Sequence, residues 1–281
     1  MNVSDFEFIA KLLKDRSGLA LTKDKAYLLE SRLNPVARKW NFAGIDELIQ
    51  ALRTGKDEKL TVDVVEAMTT NESFFFRDQR PFEQFRTIVL PYLLEHRAAQ
   101  KSFRVWSAAC SSGQEPYTLA MILKEEAAKL AGWRVEILAT DLSSEILDKA
   151  REGLYSQFEV QRGLPVSLLV KYFKQVGDRW QISDELRSMV QYRPFNLLDN
   201  PASLGRFDVI FCRNVLIYFD PPTKAKVLDN IAQQMAPDGF LYLGGAETVI
   251  GTTDRFEPMP GQRGIYTLTK ANAAAKVKAA G

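Results

Sequence analysis

The chain has 281 residues, 46% hydrophobic and 26% charged, an ordinary globular composition that excludes disordered, collagenous and coiled-coil classes. Lys and Arg total 37 and Asp and Glu 35, so the net charge is +2 and any nucleic-acid role needs a local basic patch. No apolar run approaches the roughly 20 residues that span a bilayer, and the opening MNVSDFEF carries an acid where a signal peptide has its basic start, so a cytoplasmic protein is expected.

The first 70 or so residues read as helices. Ser4 and Glu7 form a capping-box pattern, Phe6, Ile9, Leu12 and Leu13 recur at helical spacing, and Gly18 stops the helix. A second helix starts after Thr22, with Leu28, Leu29, Leu33 and Val36 on its apolar face. Asn34-Pro35 is expected to kink or split it, because Pro removes a donor and crowds the preceding turn. Leu48, Ile49 and Leu52 mark a third helix, and Leu60, Val64, Val65 and Met68 a fourth. Residues 69–77, TTNESFFFR, break the periodicity. Pro81 then opens a helix running through Phe82, Phe85, Ile88 and Val89, with Pro91 as a kink.

After Lys101 the pattern changes. Residues 103–109 read as a buried strand, 115–130 as a helix, 135–141 as a strand and 144–151 as a helix. Strands follow at 190–193, 207–212 and 240–243, with a helix at 222–235. This alternation gives an α/β class with a mostly parallel sheet covered on both faces. The last strand, 265–268, follows a loop with no helix between and is expected to enter antiparallel. Residues 153–186 depart from the alternation, and Gly177-Asp178 between two strand-like pieces gives a hairpin signal, so this stretch reads as an insertion. The Ala/Lys-rich tail, 271–281, is expected to fray.

The strongest local signal is SAACSSGQEPY, residues 107–117: small residues after a buried strand and before a helix, where an open parallel sheet holds its ligand. Only Gly113 of the dinucleotide fingerprint GxGxxG is present, so a ligand without phosphates fits better than a pyrophosphate; a plain tight turn is the competing explanation. Asp141 ends the second strand, where a carboxylate can accept both hydroxyls of a ribose or, equally, cap the next helix. Asn196 follows the third strand and suits an adenine edge or a turn. Arg213-Asn214 breaks an apolar run at a strand end, and Tyr218 beyond it reads as a core aromatic or a site residue. Arg77 fits an ion pair or a ligand carboxylate. Lys25, Arg32 and Lys39 recur every seventh residue, with Arg38 alongside, giving either a solvated face or a basic stripe for an acidic partner. Cys110 and Cys212 provide neither metal spacing nor a disulfide framework. The single histidine, His96, has no assigned role, and a triad or His-rich zinc site is not expected; no metal is.

Six ordered blocks, TTNESFFFR (69–77), VWSAACSSGQEPYTLA (105–120), ATDLS (139–143), FNLL (195–198), FDVIFCRNVLIYF (207–219) and GFLYLGGAE (239–247), resemble the chemotaxis receptor methyltransferase family, CheR, over about residues 5–270. The resemblance implies an all-α N-terminal receptor-recognition domain (1–76), a class I Rossmann-like S-adenosylmethionine (SAM)-dependent methyltransferase domain (77–270) with a small antiparallel β-subdomain insertion (153–188), and a flexible tail (271–281). It implies glutamate O-methylation of the cytoplasmic helical region of chemoreceptors, with S-adenosylhomocysteine (SAH) as the second product. It places Asn71, Ser73, Arg77, Glu115, Asp141, Asn196, Leu197, Asn214 and Val215 on the cofactor, with Glu115 on the methionine ammonium and Asp141 on the ribose. Tyr218 falls near the transferring methyl, and Lys25, Arg32, Arg38 and Lys39 on the receptor. Ser73 replaces the Thr common in other members. The turn at Gly177-Asp178 is shorter than in members that hold a receptor tail peptide, so no such tether is expected. A monomer is expected, with no nucleic-acid partner and no membrane insertion. The rival functions are a catalytically idle SAM-binding adaptor and a methyltransferase for another acceptor.

Overall fold

Apolar residues at helical spacing in the first 70 positions are buried in four helices of the computed structural model, which describes residues 2–274. Of the tail expected to fray, residues 271–274 are instead helical, with the Ala273 amide donating to Thr269 O at 2.9 Å, and the rest, from 275 onward, lies outside the described residues. α1 is Val3–Ser17, α2 Tyr27–Lys39, α3 Ile45–Arg53 and α4 Glu58–Met68. Ile9, Leu13, Leu29, Leu33, Leu48, Ile49, Val64 and Met68 form their core, each at most 2% exposed. The N-cap of α1 is Asn2, whose side chain accepts from the Asp5 amide at 2.9 Å, and not the Ser4–Glu7 box. Ser4 instead receives Arg53. Gly18 ends α1 at φ 79°, in the left-handed region that glycine adopts without penalty.

Helix α2 runs through Pro35 without splitting. Pro35 is exposed, and so is Ser31, the residue whose carbonyl loses its donor, so the lost bond falls on the exposed side of the helix. Lys25 lies outside α2, in the separate 3-10 turn Lys23–Lys25. Residues 218–223 group with this helical unit, and the remaining residues from Asn71 on form a second unit.

In the second unit the linker leads into α5 (Arg80–Gln84), a π turn (Phe85–Val89) and α6 (Leu90–His96). Pro91, where a kink was expected, lies in the first turn of α6, just after the π turn. Next come β1 (Ser102–Ala108), α7 (Gln114–Glu125), β2 (Arg134–Asp141) and α8 (Ser144–Glu152). Helix α7 stops short of its expected end because residues 127–129 are exposed and have no core to pack against. The insertion contributes β3 (Leu154–Ser156), α9 (Gln157–Gln161), α10 (Val166–Tyr172), β4 (Phe173–Val176), β5 (Arg179–Ile182) and α11 (Asp184–Arg187). Its strands form an antiparallel sheet in the order β3-β5-β4, with the expected hairpin turn at Gly177 (φ 62°). The chain continues through β6 (Val190–Pro194), β7 (Phe207–Cys212), α12 (Pro221–Gln234), β8 (Met235–Leu243), β9 (Phe256–Pro258) and β10 (Ile265–Leu268).

The main sheet has the order β6-β2-β1-β7-β8-β10-β9. Its first five strands are parallel, and β10 pairs antiparallel with β8, as its connection implied. The three-residue edge strand β9 has too little pattern to be read from sequence. Strand β8 begins earlier than expected because its Pro237-Asp238-Gly239 sequence looks like a turn; the ladder with β7 shifts register there.

Candidate functional site

Strand β1 stands between β2 and β7, and the chain builds outward from it in both directions. A crevice at that reversal, outside the carboxyl ends of the strands, is where doubly wound sheets bind ligands. The loop after β1 carries unusual backbone: Ala109 (φ 58°), Ser111 (φ 52°) and Gly113 (φ 91°) are left-handed, and so is Asn214 (φ 59°) just after β7. A non-glycine residue there costs about 1–2 kcal/mol, so the surroundings must hold it.

They do so with directed bonds. The Cys110 amide donates to Thr140 O at 2.9 Å, and the Ser111 amide to Asp141 Oδ2 at 2.8 Å. Ser111 Oγ donates to the Asn71 carbonyl at 3.0 Å. Asp141 is buried, and its Oδ1 also accepts from the Ser143 amide at 3.1 Å. A Cβ on Gly113 would lie 2.8 Å from the Tyr192 hydroxyl, so glycine is required there on steric as well as backbone grounds.

Glu115 opens α7 beside this loop. Its Oε1 accepts from Ser107 Oγ at 2.8 Å and its Oε2 from Arg213 at 3.0 Å. Arg213 is buried at the end of β7 and also donates to Asp78 Oδ2 (2.7 Å) and Arg77 O (2.9 Å). Among the described residues its Nε makes no hydrogen bond. Sequence reasoning noted the Arg213-Asn214 pair but gave Arg213 no role. The signal was present: an arginine ending an apolar strand needs a carboxylate partner.

Glu247 was also missed as a functional residue. Its carboxylate accepts backbone N–H groups from Gly244 (2.7 Å), Asn214 (2.8 Å), Val215 (2.9 Å) and Ile217 (3.3 Å). It thereby fixes the strained turn after β7. The legible cue was an acid two residues past Gly244-Gly245 at the end of a buried strand. A cavity of about 790 Å³ opens at this end of β8 and β10, walled by Asp78, Arg80, Gly245, Glu247, Arg263 and Tyr266 among others.

The other expected residues fall as follows. Asn196 and buried Leu197 follow β6, and Phe195 ties that turn to the end of β2 through Asp141 O at 2.9 Å. Asn196 Oδ1 accepts from the Leu198 amide at 3.0 Å. Asn71 meets the loop through its carbonyl, and Ser73 is half-buried beside it in sequence. The Arg77 guanidinium turns back onto Glu72 O (2.8 Å) and the Phe74 ring. Tyr218 groups with the helical unit, its carbonyl accepting from the Ala20 amide at 2.9 Å. The basic stripe is divided. Arg32 binds Met68 O, Thr69 O and Thr70 Oγ1 at 2.6–3.0 Å, capping the carboxyl end of α4, and Lys39 pairs with Asp63 at 2.9 Å. Lys25 and Arg38 are exposed.

Burial pushes the Cys110 and Cys212 thiols well above the ordinary range, so neither is a thiolate nucleophile. Among the described residues no group of three or more His, Cys, Asp or Glu side chains could hold a metal. What remains is a loop of small residues held by hydrogen bonds, with Asp141 at the end of β2 and Glu115 in the first turn of α7. Buried Asp141 and half-buried Glu115 offer carboxylate oxygens suited to hydroxyls and to a cation. Fold and site thus define a doubly wound α/β protein whose candidate ligand loop lies at the carboxyl end of β1.

Residues 71–265 match the family model for the CheR methyltransferase SAM-binding domain, and residues 4–69 that for the CheR methyltransferase all-alpha domain. The chain is similar to chemotaxis protein methyltransferase 1 of Vibrio cholerae, 41% identical over 271 residues, covering 94% of this chain and 97% of the relative. It is likewise similar to chemotaxis protein methyltransferase 1 of Pseudomonas aeruginosa, 41% identical over 271 residues with 95% and 98% coverage. The chain belongs to the CheR methyltransferase family, and it is a SAM-dependent methyltransferase.

Proposed function

We propose that the chain transfers the methyl group of SAM to glutamate side chains in the cytoplasmic helical region of chemoreceptors, producing methyl esters. The names of the relatives support a chemotaxis role. The observation that carries the site assignment is the pair of carboxylates, buried Asp141 and half-buried Glu115, anchored to the strained loop and to Arg213. Bound SAM supplies an electrophilic methyl on a sulfonium.

The chain's own residues do the rest. Asp141 takes the ribose hydroxyls, and Glu115 offers its remaining lone pairs to the methionine ammonium. Asn196 and Leu197 border the adenine, and Asn71, Ser73 and Arg77 close the linker side. Glu247 holds the backbone of left-handed Asn214 and of Val215 after it. The acceptor glutamate is already ionised near neutral pH, since its ordinary pKa is about 4.3, so no strong base is required. Positioning and exclusion of water supply the acceleration; alignment alone can be worth roughly 7–11 kcal/mol. Tyr218 orients the acceptor. Lys25 and Arg38 stay the recognition residues of the helical unit, while Arg32 and Lys39 chiefly stabilise it. The acceptor approaches over the β8–β10 half of the sheet, where the cavity lies.

Among the described residues no helix is long and apolar enough to cross a membrane. The protein works as a cytoplasmic monomer. Its short Gly177-Asp178 turn supports action without a receptor tail tether. Incubation with receptor-containing membranes and methyl-labelled SAM should give base-labile label released as methanol, equally for receptors lacking their tails. Base-stable label would indicate another acceptor atom, and SAH binding without transfer an idle adaptor.

A further inference from the structure

The insertion has a contact with the cofactor loop that the proposed chemistry does not use. Tyr155, fully buried on β3, donates its hydroxyl to the Ser112 carbonyl at 2.8 Å. Ser112 sits between left-handed Ser111 and Gly113, at the centre of the strained loop. The Tyr155 ring also meets Phe75 edge-on, centroids 5.0 Å apart. Phe75 belongs to the linker whose Asn71 carbonyl accepts from Ser111 Oγ. Gly163, again from the insertion, packs so closely that a Cβ there would lie 2.1 Å from the Phe75 carbonyl oxygen. The insertion therefore grips the loop twice, directly through Tyr155 and indirectly through the linker.

We propose that Tyr155 is a positioning residue for SAM: its hydroxyl keeps loop 109–113 in the binding-competent conformation, so the insertion sets cofactor affinity. This rests on SAM binding at that loop. The backbone at Ala109 and Ser111 is one that L-residues avoid, so a loop released from a tether drifts toward relaxed conformations. Apparent affinity then falls in proportion to the competent fraction. The coupling is reciprocal, so a ligand on the loop must also tighten the insertion.

Tyr155→Phe keeps the ring packing and removes only the hydroxyl. The SAH dissociation constant should rise about five- to twentyfold by calorimetry, and KM for SAM by the same factor, with kcat at saturating SAM within about twofold. Tyr172→Phe is the control. That hydroxyl also leaves the insertion, but it binds Glu125 and not the loop, so SAH affinity should not change. In the wild-type protein, SAH should slow amide hydrogen exchange across residues 154–163. Unchanged affinity in Tyr155→Phe, equal losses in both variants, or no exchange protection in the insertion would overturn the proposal. Wild-type protein that fails to bind SAH would overturn the cofactor assignment itself, a different failure from wild type and Tyr155→Phe binding alike.

Discussion

The Arg213 guanidinium lies 3.0 Å from the Glu115 carboxylate, and the two side chains, 2% and 13% exposed, tie the end of β7 to the start of α7. Breaking a buried pair by removing one partner typically costs about 3–5 kcal/mol, because the other charge is left uncompensated. Arg213→Ala should therefore lower the unfolding free energy by about that much in denaturant melts. Glu115→Gln keeps the shape and leaves Arg213 its Asp78 partner, so it should destabilise less. It should nonetheless weaken SAH binding at least about tenfold, as calorimetry can check.

Two glycines separate crowding from backbone strain. Gly113 (φ 91°) has the Tyr192 hydroxyl 2.8 Å from a built Cβ, whereas Gly132 (φ 77°) has nothing within 4 Å. Gly132→Ala should cost only the left-handed penalty, about 1 kcal/mol. Gly113→Ala should cost roughly 1–3 kcal/mol more and should also reduce SAH affinity. Paired thermal melts and titrations measure both.

Tyr218→Phe should lower kcat about tenfold with little change in KM for SAM, if the hydroxyl acts only in the transition state. Steady-state kinetics with receptor membranes read this directly, and an unchanged kcat removes the assigned role.

Acid should destabilise the helical unit in part through Asp220. The hydrogen bond from Lys14, then that from Thr223, hold its carboxyl down to about 2 from an ordinary 3.8. A depressed folded value means the stabilisation is complete above about pH 4 and is lost as pH falls toward 2. The pair is partly exposed, so salt should weaken the effect. In the second unit Asp238 behaves alike: burial raises its pKa, but the Arg97 hydrogen bonds and charge outweigh burial and lower it. Unfolding free energies between pH 2 and 7 should show a shallower acid loss in Asp220→Asn than in wild type.

The fold was legible where periodicity and length agreed. Leu60, Val64, Val65 and Met68 placed α4, and the apolar run at 207–212 placed β7 within its observed bounds. The candidate site was legible where a motif follows a strand, as in the loop at Gly113, or ends one, as at Asp141. What escaped was set by tertiary partners. Pro35 sits inside a helix because its side of α2 faces solvent, and nothing local in the sequence says so. Arg32 looked like a surface cation, yet its partners Met68, Thr69 and Thr70 lie far along the chain. Glu247 gathers four backbone amides from two loops, a role no spacing rule encodes.

A crystal structure of the protein with SAH tests the central claim most directly. The ligand should lie across the carboxyl ends of β1 and β2, its ribose hydroxyls within hydrogen-bond distance of Asp141 and its amino-acid end beside Glu115. Density for SAH elsewhere, or an Asp141 carboxylate that makes no hydrogen bond to the bound ligand, would contradict it.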